Sequence, residues 1–291
     1  MRQVEDALDV LLFDRRSRQA QLTAAGHELL TEGRRLLAEM DAVANRVRRV
    51  STGWETQLTI ALDGVLSRQT LLELCEAFYA LRPCPDGRSD PGPGTRLRLR
   101  TEVMAGTFEA LLSGQADLAI GISAETPSAP GIEMRPLGEM DFVFAVAPHH
   151  PLALIEGAID DIEIMRHRAV AVADSAQRLS PITVNLLPGQ DVLTVPSMQA
   201  KIEAQLRCLG CGFVPWPLVR DHVRLGRLVV KPVQRHRQLV RMVYAWRAAA
   251  VTQPKRAPQG LALQWWLSQL DSPATRQALI ERHSGLPGDV D

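Results

Sequence analysis

The sequence predicts an α/β protein with a basic hairpin and a long helix at its start and a two-lobed region behind them. Three observations lead to this fold class. An arginine-rich turn lies between two short apolar runs near the amino terminus. A heptad pattern of apolar residues follows it, and strand and helix patterns then alternate in two successive blocks.

Length and composition favour a cytoplasmic protein with one large domain or several ordinary ones. The 291 residues, 46% of them hydrophobic, are enough for one large or several ordinary domains. The formal net charge is zero, so any nucleic-acid binding must depend on a local basic patch. There is no apolar run of bilayer length and no signal-peptide pattern. We therefore expect a cytoplasmic protein, with no membrane partner, whose cysteines stay reduced.

The arginine-rich turn is one candidate for a nucleic-acid contact. It lies between Leu11–Phe13 and Ala20–Leu22, a pattern typical of a small β-hairpin. Its arginines are Arg15, Arg16 and Arg18. Thr23 follows at a good N-cap position for the next helix. A basic hairpin between two helices is typical of the wing of a winged helix-turn-helix, where cations meet phosphates. A solvated turn of an α+β domain has the same residue types, so the residues alone leave both interpretations open.

A long helix is predicted from Thr23 to about Val50, with a domain boundary at Ser51–Gly53. Apolar or small residues recur along it at alternating steps of four and three: Leu29, Gly33, Leu36, Met40, Val43, Val47 and Val50. Such a heptad seam can pack on its own domain or on a second copy of the helix. Gly33 lowers the helix propensity but allows a partner to approach closely.

The rest of the chain is predicted to form two α/β lobes. The predicted strands are Gln57–Asp63, 97–103, Ala116–Ile122, Met140–Ala147, Ala169–Ala173, Asp191–Val195, Gly212–Pro215, Leu228–Val230 and Leu239–Trp246. The main predicted helices are Leu66–Leu81, one that ends at Leu112, Ser197–Leu209 and Leu261–Leu270. Repeated strand–helix–strand units predict a mostly parallel sheet with helices on both faces. The chain should cross between lobes near Pro148, return near Gln238 and end in a frayed tail.

The amino-terminal segment resembles the LysR-type transcriptional regulators. Its spacing is similar to the end of their recognition helix and their wing at Glu5, Leu8, Leu12, Phe13, Arg15, Arg18, Leu22, Thr23 and Gly26. Asp9 stands where the family usually has glycine, in a tight turn that favours a left-handed residue. Met1 falls inside the recognition helix. The resemblance therefore implies that the winged helix-turn-helix is incomplete. Either the start of the coding sequence was assigned too late or the chain is truncated. The chain as given is expected to bind DNA only weakly.

The later region resembles the effector domain of the same family, which has the two-lobed fold of periplasmic solute-binding proteins. Gly114–Gly121 is similar to the family strand "G..DLAI", and His150–Leu152 to its "HPL". Leu209–Pro215 resembles "G.G...LP", with one residue fewer. The resemblance runs from about Gln3 to about Leu270. It implies a DNA-binding regulator, and not an enzyme, that senses a small-molecule effector; the alternative is a small-molecule-binding dimer without sequence-specific DNA binding.

The resemblance also implies a division of labour along the chain. Residues 1–26 would be the remnant of the winged helix-turn-helix, 27–52 the dimerisation helix, 53–270 the effector domain and 271–291 a tail. Lobe I would span about 54–148 and 239–270, and lobe II about 149–238. The expected DNA-binding residues are Arg2, Gln3, Arg15, Arg16, Arg18 and Thr23. The expected dimerisation residues are Leu29, Leu36, Met40, Val43, Val47 and Val50. We expect a homodimer or homotetramer, and RNA polymerase is a candidate further partner.

The effector is expected at four turns that follow strands, where helix N-termini expose N–H groups. These turns are Asp63–Gly64, Met104–Ala105, Ile122–Ser123 and Ser197–Met198. Family members often have hydroxyl and amide groups at these positions, which bind carboxylate effectors. Asp63 and Met104 differ from this pattern. Because an acidic wall repels a simple anion, we expect a neutral, cationic or amphipathic effector.

Neither a metal, a cofactor nor a catalytic constellation is predicted. The pair Cys208 and Cys211 spells CxxC, but it closes a helix and enters a buried strand, which favours structural thiols over a redox pair. Cys75 and Cys84 lack the spacing of a second zinc ligand pair. We interpret His149–His150 as an ordinary loop between two prolines. Trp265–Trp266 is interpreted as core packing.

Overall fold

The structure is a computed structural model that describes residues 2–14, 20–81, 93–235, 238–248 and 260–283. Its amino-terminal part consists of α1 (Arg2–Leu8), β1 (Phe13–Asp14), β2 (Gln21–Leu22) and α2 (Ala24–Thr52). Strands β1 and β2 pair antiparallel, as predicted for the hairpin. The backbone φ of Asp9 is 52°, which confirms the predicted left-handed turn.

The hairpin is held between the two helices by a buried carboxylate and a glycine. Glu5 of α1 accepts hydrogen bonds from Leu12 N (2.9 Å) and Phe13 N (3.3 Å). A Cβ on Gly26 of α2 would lie 2.1 Å from the carbonyl oxygen of Leu12, so only glycine fits there.

The remaining elements follow in chain order. They are β3 (Gln57–Asp63), α3 (Arg68–Tyr79), β4 (Arg96–Glu102), α4 (Ala105–Leu112), β5 (Leu118–Ser123), β6 (Ile132–Val146), a short 3-10 helix (Pro151–Leu154), α5 (Asp161–Met165), β7 (Ala169–Val172), β8 (Val192–Val195), α6 (Met198–Leu206), β9 (Gly212–Pro215), α7 (Trp216–Arg224), β10 (Val229–Val230), β11 (Gln238–Arg247), α8 (Leu261–Asp271) and α9 (Pro273–Glu281). Within the described residues no helix is long and apolar enough to span a membrane.

The main sheet has the strand order β10-β6-β11-β5-β3-β4, and β9 also pairs with β6. Among the described strands of this sheet only β3 pairs in parallel, with β4 and β5, while β7 and β8 form a separate parallel pair. The prediction of a mostly parallel sheet is therefore wrong, because the returning strand β11 inserts antiparallel between β5 and β6. In β6 the segment 142–145 pairs with β9 of lobe II, so the chain changes lobe at about Phe142, earlier than the predicted Pro148.

Strand β6 begins at Ile132, eight residues before the predicted start at Met140. The missed segment contains Pro136 and Gly138, residue types that normally break a strand. The pairing of β11 shifts register opposite them, between Met242 and Val243, and this bulge accommodates the irregular backbone.

The prediction of a tail from residue 271 is also wrong for residues 273–281, which form α9. Ser272 caps this helix, and Leu279 and Ile280 are buried in the core of lobe I. The carbonyl of Leu279 accepts a hydrogen bond of 2.7 Å from Ser67 N, at the start of α3. Residues 284–291 lie outside the described residues. The core that α9 completes also contains fully buried Trp266, as predicted.

Candidate effector site and DNA-binding segment

Asp63 joins two of the turns that were predicted to bind the effector. It ends β3, and its carboxylate accepts hydrogen bonds from Val65 N (3.0 Å) and Met104 N (2.9 Å). Gly121 in the neighbouring strand β5 makes room for it, since a Cβ there would lie 2.9 Å from the Asp63 Cβ. Burial raises the pKa of Asp63 to about 6; the two N–H donors oppose this, and the charge of Asp174 adds to it. Both carboxylate oxygens are thus engaged within lobe I.

Met104 connects lobe I to lobe II. It precedes α4 with a φ of 51°, a left-handed conformation that is strained for methionine. Its N–H bond to Asp63 helps to hold this conformation. Its side chain packs against the apolar cluster of lobe II that contains Val172, Met198 and Val214. Two predicted effector positions, Met104 and Met198, therefore meet in one cluster.

The other predicted effector positions have more local roles. The Ser197 hydroxyl caps α6, as predicted, by accepting a hydrogen bond of 3.1 Å from Ala200 N. Gly64 N donates to the Glu102 carbonyl (3.0 Å), and Ser123 accepts from Glu125 N (3.3 Å). Ile122 is buried in a separate lobe I cluster with Phe108 and Leu111.

The sequence analysis missed two residues of lobe II that reach the start of α4. Asp174 follows β7 and accepts hydrogen bonds from Ala105 N and Gly106 N, both at 3.2 Å. Ser175 accepts one of 2.9 Å from Val103 N. The rule used for the four predicted turns, a turn that directly follows a strand, also applies to the strand predicted over Ala169–Ala173. Applied there, it would have found Asp174.

Glu109 on α4 makes the opposite connection, from lobe I to lobe II. Its carboxylate accepts hydrogen bonds from the backbone N–H groups of Gln177, Arg178 and Leu179, at 3.1, 2.8 and 2.8 Å. Burial raises the pKa of Glu109, but these donors outweigh burial and leave the pKa below its usual value.

In the predicted DNA-binding segment the described side chains have structural roles. Thr23 Oγ1 accepts a hydrogen bond from Gly26 N (3.0 Å) and donates one to the Leu11 carbonyl (2.7 Å), so the predicted cap of α2 is present. Arg2 and Gln3 lie on α1, with side chains outside the described part of the chain. The wing arginines, Arg15, Arg16 and Arg18, lie outside the described residues.

The apolar seam of α2 is exposed to solvent at the positions where its side chains are described. Leu29, Leu36, Met40 and Val43 are all exposed, with values of 54% for Leu36 and 67% for Met40. Val47 and Val50 lie on the same helix, but their side chains are outside the described set.

The described cysteine and histidine side chains that were weighed as reactive groups have structural roles. The described residues contain no group of three or more metal-ligating side chains. Cys211 is buried at the entry to β9, and burial raises its pKa to about 12, which keeps it a thiol at neutral pH. Buried His150 accepts a hydrogen bond from Leu152 N (3.2 Å) at the start of the 3-10 helix. Cys84 lies outside the described residues.

The family model for the LysR substrate binding domain matches residues 51–272. The chain therefore belongs to the LysR family of transcriptional regulators, and the predicted family and fold class are confirmed. It is a transcription regulator with an effector-binding domain, and not an enzyme.

Known proteins similar to this chain cover most of its length. An uncharacterized HTH-type transcriptional regulator, YeeY of Escherichia coli K12, is 32% identical over 267 residues, which are 92% of this chain and 81% of YeeY. Full-length LysG of Corynebacterium glutamicum, solved with bound effector Arg, has a TM-score of 0.53 at 20% identity. The match covers 96% of this chain and 86% of the LysG chain. Full-length CbnR, solved with its target DNA, has a TM-score of 0.54 at 18% identity, with 95% and 88% covered.

Proposed function

We propose that this regulator binds its effector between the lobes, at the turns Asp63–Gly64, Met104–Ala105, Ile122–Ser123 and Ser197–Met198. The observation that carries the proposal is the meeting of Met104 from lobe I with Met198 from lobe II in one apolar cluster. A ligand that enters this contact must change how the lobes pack. Asp63 and Asp174 place two carboxylates at the α4 end, which favours a neutral, cationic or amphipathic effector over a simple anion.

The effector site can be tested by blocking one end of α4. A panel of amines, neutral amino acids and dicarboxylates is first screened by thermal shift, and each binder is then titrated by calorimetry. Ala105→Trp at the cleft end of α4 should abolish binding. Leu112→Trp, at the exposed far end of the same helix, should leave binding unchanged. Tight binding of a dicarboxylate that is unaffected by Asp63→Asn would contradict the proposed effector class.

The exposed seam of α2 supports self-association through this helix. Apolar side chains at heptad spacing are stable in water when a second helix covers them. We therefore assign residues 27–52 to dimerisation, 1–26 to DNA binding and 53–270 to effector binding, in a homodimer or homotetramer. Effector binding would shift the population of lobe and subunit arrangements and so change the contacts with DNA. Such a regulator acts in the cytoplasm, with RNA polymerase as a further partner.

The oligomer can be tested by mass photometry or sedimentation of the full chain. Met40→Glu places a charge on the seam and should shift the protein to monomers. Asp41→Asn, at the following position on the outer face of the helix, should not. An unchanged oligomer in Met40→Glu would exclude the seam as the interface.

We assign DNA contact to the wing arginines, Arg15, Arg16 and Arg18. Their replacement by alanine should weaken binding to a random-sequence duplex and reduce the slope of log K against log salt by up to about 3, roughly one unit per phosphate contact. Arg166→Ala removes an exposed arginine of lobe II and serves as the control. An unchanged salt slope would contradict the wing assignment. Effector binding without any DNA binding would favour the alternative, a small-molecule-binding dimer without sequence-specific DNA binding.

A further inference from the structure

Helix α4 of lobe I is capped by a residue from lobe II. The side chain of Met104, at the N-cap position, makes no capping hydrogen bond within the described part of the chain. The Asp174 carboxylate takes that role instead, through Oδ2 to Ala105 N and Oδ1 to Gly106 N. The same carboxylate also accepts from Ala176 N (2.9 Å) and Ile182 N (2.8 Å), which fixes the irregular segment after β7. Asp174 is thereby preorganised to face the helix.

The contact is reciprocal, because α4 in turn holds the segment that carries Asp174. Glu109, one turn further along α4, accepts the N–H groups of residues 177–179. Between the two carboxylates, Ser175 Oγ accepts from Val103 N and donates to Glu102 Oε2 at 2.8 Å. Each lobe therefore supplies a carboxylate to backbone N–H groups of the other lobe, and separation of the lobes breaks both sets together.

We propose that residues 174–179 form a clasp that locks the two lobes together, and that Asp174 within it fills the anion position at the start of α4. A helix N-terminus attracts negative charge through its free N–H groups and its dipole. Because Asp174 already fills this position, the clasp excludes anionic ligands from it. Asp174 is thus a specificity-determining residue of the cleft. Only this consequence for the effector rests on the proposed function; the clasp itself does not.

Close packing at Gly106 provides a way to open the clasp without removing any charge. A Cβ at Gly106 would lie 1.9 Å from Ser175 Oγ and 3.0 Å from the Ser175 carbonyl carbon. The glycine is helical, so alanine suits α4 itself and only the clasp must move away. Leu112→Ala is the control, since Leu112 lies on the same helix, at its exposed end away from the clasp.

Hydrogen exchange of the full chain distinguishes a cooperative clasp from independent local caps. In Asp174→Ala the amides of residues 177–179 should exchange at least about tenfold faster, although their acceptor Glu109 is intact. In Glu109→Ala the amide of Ala105 should exchange faster by a similar factor, although its acceptor Asp174 is intact. Gly106→Ala should speed the exchange of both sets of amides, and Leu112→Ala of neither. If each variant changes only the amides bonded to the deleted group, the clasp is refuted. Gly106→Ala keeps the test decisive should either carboxylate variant fail to fold.

Acetate tests whether Asp174 fills an anion position. Added to Asp174→Ala at about 50 mM, acetate should slow the exchange of Ala105 N–H and raise the melting temperature, whereas neutral acetamide should do neither. Wild type should not respond to acetate at Ala105, because its position is filled. No response in Asp174→Ala, or an equal response in wild type, would overturn this part of the proposal. None of these measurements uses the unknown effector or DNA, so a failure of the proposed function is detected separately, by the Ala105→Trp titration.

Discussion

Replacement of Asp63 by asparagine should make the stability of this protein less dependent on pH between about 4 and 7. The folded protein binds the Asp63 proton with a pKa of about 6, against 3.8 for an ordinary aspartate. Between these values the folded state holds more protons than the unfolded state, so the free energy of unfolding falls as pH rises. The stabilising contribution is fully present below about pH 3.8 and is lost by about pH 6. The difference between the two pKa values corresponds to about 3 kcal/mol at 1.36 kcal/mol per pH unit.

The assay is urea unfolding of wild type and Asp63→Asn at several pH values from about 4 to 7. The asparagine side chain can accept a hydrogen bond from only one of the two N–H groups, so the variant loses some stability at every pH. The informative quantity is therefore how the difference in the free energy of unfolding between wild type and variant changes with pH. From about pH 4 to 7, the free energy of unfolding of wild type should fall by about 2–3 kcal/mol relative to that of Asp63→Asn. Glu109→Gln is the control: the pKa of Glu109 is lowered, so its difference should be flat above about pH 5. A flat difference for Asp63→Asn as well would refute the reasoning, because Asp63 would then stay ionised despite its burial.

Three further predictions concern groups outside the cleft contact. Burial lowers the pKa of Lys201, which is only 8% exposed, to about 8. Lys201→Met should therefore be more stable than wild type at pH 7, by up to about 3 kcal/mol, in chemical denaturation, and this advantage should shrink as pH rises from about 8 to 10.5. An advantage that does not depend on pH would rule out the lysine charge as its cause. Thr23→Val removes the α2 cap and should cost about 1–2 kcal/mol of local stability, seen as faster exchange of Gly26 N–H. Unchanged exchange would show that the backbone alone holds this turn. Glu55→Ala leaves Ala262 N and Leu263 N at the start of α8 without their acceptor and should lower the free energy of unfolding by about 1–3 kcal/mol. Exposed Glu281→Ala should leave it nearly unchanged, and equal losses for the two would contradict the capping role.

The features that could be predicted from the sequence are those that depend on local chemistry. Strand β3 has the predicted bounds, Gln57–Asp63, since its apolar run and the following turn residues define it without any partner. Ser197 and Thr23 cap the predicted helices, because a hydroxyl before a helix accepts N–H groups only a few residues away. The left-handed φ of Asp9 was expected from the family resemblance, in which this position of the turn is usually glycine.

The features that could not be predicted depend on partners far away in the sequence. The first half of β6 contains Pro136 and is a strand only because residues 242–247 of β11 pair with it. Helix α9 has a polar sequence, but it buries Leu279 and Ile280 against lobe I. The position of Asp174 after a predicted strand is visible in the sequence, but the N–H groups from which it accepts hydrogen bonds lie about 70 residues earlier, at the start of α4. No window of sequence around any of these residues contains the group that determines its structure.

The two acids at the start of α4 therefore have different consequences for regulation. Asp63 accepts both of its hydrogen bonds from lobe I, so those bonds persist whether the lobes are together or apart. Asp174 accepts two of its bonds from the other lobe, and these exist only while the lobes are in contact. A ligand can shift an equilibrium only through an interaction that differs between the two states. Asp174 is consequently the acid whose hydrogen bonds can couple effector binding to the arrangement of the lobes, whereas Asp63 depends on that arrangement through the charge of Asp174, which raises its pKa.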